Sequence, residues 1–92
     1  MTVPEAKQIA GVCSRVAQIL REERESRGLS MNAVAGRAGL SQQMVSYVER
    51  ELRNPTLETL LRITSVLEIE LSEVLRRAST EARRRQAKPT RK

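Results

Sequence analysis

The sequence has no histidine, tryptophan or phenylalanine, and among its 92 residues only one tyrosine, one cysteine and three prolines. Without histidine the commonest general base and metal ligand is missing. The single Cys13 can neither close an intrachain disulfide nor anchor a spaced set of metal ligands. No glycine-rich phosphate loop is present. Together these absences speak against an enzyme and against a metal or cofactor, so none is expected. No apolar run approaches the roughly 18 residues of a membrane span. The segment Met1 to Glu5 lacks the basic and apolar stretches of a signal peptide. The expectation is a cytoplasmic protein without membrane association.

A chain of this length is one domain's worth of core. With almost no aromatic residues, that core must be built from Leu, Ile, Val, Ala and Met, which favours packed helices over a sandwich. The fold class expected is therefore all-α. The net charge of +6 is unevenly spread: residues 76–92 hold eight basic residues and one acidic, while residues 1–75 hold nine basic and ten acidic. A basic balance that sits in a tail says little about what the rest of the chain binds. Function has to be read from pattern.

Thr2, Pro4 and Glu5 read as a helix start. Ile9, Val12, Cys13, Val16, Ile19 and Leu20 then recur at helical spacing up to a stop at Gly28. The first turns of this helix, to about Cys13, overhang what the remaining elements require. Ser30 is placed to cap a short helix, Met31 to Ala38, with Val34, Ala35 and Ala38 inward; Gly39 breaks it. Ser41 caps a third helix, from Gln42 to about Arg50, whose inward residues are Val45 and Val48. Asn54-Pro55 is a loop, and Thr56 restarts a fourth helix bearing Leu57, Leu60, Leu61, Thr64 and Leu67. Ser72 caps a fifth, carrying Leu71, Val74, Leu75 and Ala78. A domain over residues 1–80 and a disordered basic tail over 81–92 follow.

The spacing of Ala35, Gly39, Val45 and Val48 suits two short helices meeting steeply across a tight turn: a small residue at the contact, glycine at the turn, a β-branched plug between. Around it stand Leu20 to Arg24, Gly28-Leu29-Ser30, Ala38-Gly39-Leu40-Ser41, Val45 to Arg50, Arg53-Asn54-Pro55-Thr56 and Ile69-Glu70-Leu71. In these residues the chain resembles the Cro and lambda-repressor type of helix-turn-helix, the xenobiotic-response-element family, over roughly Val16 to Leu75. The resemblance implies a five-helix DNA-binding domain, a unit over Met31 to Arg50, and a third helix that enters the major groove of double-stranded DNA. Base contacts fall to Gln42, Gln43, Ser46 and Tyr47. Backbone contacts fall to Ser41, Asn32, Arg37, Arg50, Arg53 and Asn54. Arg24 and Glu49 match the pair that ties helix one to the recognition helix.

Three departures stand out. Met31 occupies the position where the family usually has a phosphate-touching Gln. Glu51 and Glu68 stand where the family favours Gly, and they resist the left-handed conformation that ends a helix, so those helices are expected to run on or end differently. Gly36 inside helix two has no account beyond close packing. The family generally acts as a homodimer on a palindrome, as a repressor. Leu71, Val74, Leu75 and Ala78 are the dimer surface expected, with Ile9 and Val12 as a possible addition or as their cover within one chain. A second reading is an antitoxin or bridging protein whose main partner is another protein.

Overall fold

The computed structural model describes residues 5–86, and these form five helices: α1 Ala6–Ser26, α2 Met31–Ala38, α3 Gln42–Glu49, α4 Leu57–Leu67 and α5 Leu71–Gln86. Thr2 and Pro4 lie outside the described residues. Three helix starts are set as the sequence predicts. Ser30, Ser41 and Thr56 accept hydrogen bonds from the N–H groups of Ala33, Met44 and Thr59 at 3.0, 3.0 and 3.1 Å. Ser72 is no cap, because α5 begins at Leu71 and Ser72 falls in its first turn.

Four helices end in the same way. The N–H groups of Leu29, Leu40, Leu52 and Ile69 reach back five residues to the carbonyls of Arg24, Ala35, Tyr47 and Thr64, at 2.9–3.2 Å. The residue before each donor is left-handed: Gly28 at φ 68°, Gly39 at 71°, Glu51 at 61° and Glu68 at 57°. The expectation that Glu51 and Glu68 would change these ends is thus corrected. At Glu68 the apolar residue that follows, Ile69, packs against the core and holds the turn closed.

The core joins α1 (Val16, Ile19, Leu20), α2 (Val34, Ala35), α3 (Val45, Val48), α4 (Ile63, Leu67) and α5 (Leu71, Val74, Ala78). On α4 the inward stripe is rotated from the one predicted. Thr59, Ile63, Thr64 and Leu67 are buried, whereas Leu57 and Leu61 are exposed. The buried hydroxyl of Thr64 is satisfied by donating to the Leu60 carbonyl at 3.0 Å.

The larger revision concerns α5, which runs past the expected boundary at residue 80 to Gln86 and lies along α1. A Cβ added at Gly11 would stand 3.9 Å from the Ala82 Cβ, so two small residues let the helices approach. Arg15 pairs with Glu81, and Arg77 with Glu23 at 2.9 Å. Residues 81–86 are therefore helix and not tail; residues 87–92 lie outside the described residues. Leu71, Val74 and Ala78, expected at a dimer surface, are instead buried within the monomer, and of that set only Leu75 is exposed.

Two expectations follow. A left-handed L-residue costs roughly 1–2 kcal/mol, and glycine returns about 0.4–1 of that through the unfolded chain. Glu68→Gly is accordingly expected to stabilise by about 0.5–1 kcal/mol, read as a higher midpoint in thermal unfolding. The Glu23 carboxyl is held below its ordinary range by hydrogen bonds from Arg27 and then Arg77. Its ionised form is favoured in the folded state, so its contribution is complete above the unfolded carboxyl range of about pH 4.3 and is lost as pH falls through the lower folded value. Denaturant unfolding of wild type and Glu23→Gln should show a gap at pH 6 that closes toward pH 3.

Candidate nucleic-acid interface

The face presented by α3 follows from its inner side. Val45 and Val48 are buried, which sends Gln42 and Gln43 outward into full exposure and leaves Ser46 and Tyr47 half-buried beside them. Ser41, exposed, is engaged at the helix start, where unpaired backbone N–H groups gather. The Nε2 of Gln43 donates to the Tyr47 hydroxyl at 2.5 Å, and the Arg53 guanidinium sits 4.9 Å from the Tyr47 ring centroid. Arg37, Arg50, Arg53, Asn32 and Asn54 are all exposed.

What aims this face is the Arg24–Glu49 pair. Arg24 Nε and Nη2 donate to the two Glu49 carboxylate oxygens at 2.7 and 3.0 Å, and Nη1 donates to the Leu29 carbonyl at 2.7 Å. The side chains are 12% and 6% exposed. Hydrogen bonding to Glu49 raises the Arg24 pKa further above its already high ordinary value. This fork links α1, the turn before α2, and the end of α3 through one guanidinium.

Sequence reasoning missed a second clamp. Arg62 on α4 donates to the Ala38 carbonyl at 3.1 Å while holding Glu58 through Nε and Nη2 at 3.0 and 2.9 Å. It satisfies a carbonyl left open at the end of α2. The Glu58/Arg62 spacing was visible, but the bond across to another helix was not. Met31 does not face outward as a substitute for Gln; it packs against the core. Gly36 is exposed, and a Cβ there would meet nothing within 4 Å, so close packing does not explain it. Among the described residues no group of His, Cys, Asp and Glu converges to hold a metal ion, and no helix is long and apolar enough to cross a membrane.

The order and spacing of these helices match the helix-turn-helix family model over residues 20–74, more than half of the chain. The chain belongs to this helix-turn-helix family. It is 38% identical over 61 residues to the HTH-type transcriptional regulator DdrOP3 of Deinococcus deserti, covering 66% of this chain and 47% of that one. To SinR of Bacillus subtilis it is 28% identical over 61 residues, covering 65% and 55%. The chain thus spans about half the length of these curated relatives. Among solved structures it is similar to the restriction-modification controller C.AhdI from Aeromonas hydrophila, with a TM-score of 0.65 and 37% identity, covering 71% of this chain and 97% of that one. SinR in complex with DNA matches with a TM-score of 0.61 and 28% identity over 65% of this chain and 97% of that one.

Because removal of Arg24 strands a nearly buried carboxylate, Arg24→Ala is expected to destabilise this helix-turn-helix by about 3 kcal/mol, the lower end of the range for broken buried pairs. Thermal unfolding checks this. An unchanged midpoint would show that the pair does not hold the helices.

Proposed function

We propose that this chain is a sequence-specific transcriptional repressor that binds a palindromic operator as a homodimer, laying α3 in the major groove of double-stranded DNA. The observation that carries this reading is the pairing state of the arginines. Arg15, Arg21, Arg24, Arg27, Arg62, Arg76 and Arg77 each hold a carboxylate. Among the described residues no salt bridge is formed by Arg37, Arg50 and Arg53, which surround α3, or by Arg83 and Arg84 near the end of α5. Guanidinium groups left open around an exposed pair of glutamines suit a ligand with phosphates outside and base edges within.

In this reading Gln42 and Gln43 meet base edges, with Ser46 and Tyr47 behind them. Ser41, Asn32, Arg37, Arg50, Arg53 and Asn54 position the domain on the backbone. Phosphate contacts supply affinity that falls with salt, and base contacts supply the choice of sequence. Repression is by occupancy of the operator.

A single domain reads few base pairs, which is the reason to expect a two-fold partner. With Leu71, Val74 and Ala78 buried, the surface for it is the apolar recess walled by exposed Ile9 and Leu75, with Val12, Pro55 and Leu60. Arg53 and Asn54 line the same recess, so a second copy docked there would set the distance between two phosphate-contacting loops and hence between two α3 helices.

Enrichment from a random duplex DNA pool at physiological salt tests the proposal. Wild type is expected to recover a palindrome with half-sites about ten base pairs apart, Gln42→Ala/Gln43→Ala no motif, and Leu75→Glu isolated half-sites. A folded wild-type protein that recovers no motif would overturn the reading in favour of a protein partner.

A further inference from the structure

Gln43, Tyr47 and Arg53 form a connected unit whose chemistry goes beyond a generic polar surface. We propose that Tyr47 is a positioning residue that restricts the Gln43 amide to reading adenine, and that it also seats Arg53 for a phosphate. The inference rests on the DNA-binding reading above and deepens it.

A free glutamine amide has two N–H donors and one carbonyl acceptor. It can present both donors to guanine, whose major-groove edge offers the two acceptors O6 and N7, or one donor and one acceptor to adenine, whose edge offers N7 and the N6 amino group. In this structure one Nε2 hydrogen of Gln43 is already given to the Tyr47 hydroxyl at 2.5 Å. One Nε2 donor and the Oε1 acceptor remain. That pair complements adenine and cannot satisfy both acceptors of guanine.

The tether also explains how an exposed side chain is held. Gln43 and Tyr47 are four residues apart, one turn along α3, so their side chains lie on the same stripe. Tyr47 is half-buried and its ring face is covered by the Arg53 guanidinium at 4.9 Å. The ring is anchored, its hydroxyl fixes the amide above it, and its face fixes an arginine from the loop that follows. An arginine stacked in this way keeps its N–H fork free for a phosphate.

The test is selection from the random duplex pool with wild type, Gln43→Ala and Tyr47→Phe full-length proteins, with circular dichroism confirming that each is folded. Wild type is expected to prefer adenine over guanine by about tenfold or more at one position of the half-site, the position whose preference Gln43→Ala abolishes. Tyr47→Phe keeps the ring and loses the hydroxyl; it should reduce the preference at that position to less than about threefold and leave the other positions ordered as before. Salt titration adds a second readout: Tyr47→Leu, lacking the ring, should make the slope of log K against log salt shallower by about one, as Arg53→Ala does. Unchanged adenine preference in Tyr47→Phe, or equal flattening at every position, would overturn the proposal while the operator reading stands. Absence of any motif with wild type would remove both.

Discussion

The arrangement depends on one guanidinium. α3 has eight residues and two fully inward side chains, Val45 and Val48, too little to fix its direction alone. Arg24 supplies the missing constraint by gripping Glu49 at the end of α3 with two hydrogen bonds and the Leu29 carbonyl with a third. Three donors in a rigid plane define an orientation, which a single hydrophobic contact does not. Leu29 also follows the left-handed Gly28 that ends α1, so the same side chain locks the turn from which α2 departs. The position of Gln42 and Gln43 is inherited from this fork.

Short connections transmit that order to the rest of the domain. Each of the first four helices ends in a left-handed residue followed by an apolar one, and three of those apolar residues, Leu29, Leu40 and Ile69, reach the core. Leu52 after Glu51 is exposed instead, so the end of α3 carries backbone strain without apolar support. Two residues before Glu51, the Glu49 carboxylate is held by Arg24. At Gly39 the absence of a side chain has a second use, because a Cβ there would lie 3.1 Å from the Arg62 Nη1 that serves the end of α2. Glycine at this turn permits both the backbone conformation and the clamp.

The helix count, three of the caps and the outward set on α3 were legible because each rests on local chemistry: a Ser or Thr before an apolar stripe, a glycine after it, a spacing of three and four. The Arg24–Glu49 pair, 25 residues apart, was legible only through the family resemblance. The stripe of α4 was misread because leucine-rich spacing at Leu57 and Leu61 fits an inward face as well as Ile63 and Leu67 do, and only contact with the other helices selects one. Likewise the stripe of Val74 and Ala78 fits a dimer surface as well as a face covered by α1, and only the packing of α5 on α1 selects the second. The continuation of α5 was hidden by the arginines of residues 83–85, whose charge resembles that of a tail; Ala82, the small residue opposite Gly11, was the available signal. The Tyr47 link was beyond reach, since Arg53 comes from a loop whose path no periodicity describes.

The division of the arginines into paired and open sets also fixes how salt should act on the molecule. The pairs joining α1 to α5 are partly exposed, as are any contacts made by Arg37, Arg50 and Arg53, and mobile ions screen both. The Arg24–Glu49 pair is nearly enclosed and is screened far less. If Arg37, Arg50 and Arg53 contact phosphates as proposed, raising salt weakens those contacts and loosens the outer end of the α1–α5 pair while the support of α3 persists. A salt dependence of binding then reports the open arginines and not the melting of the helix that carries them, which is the condition for assigning a slope to individual side chains.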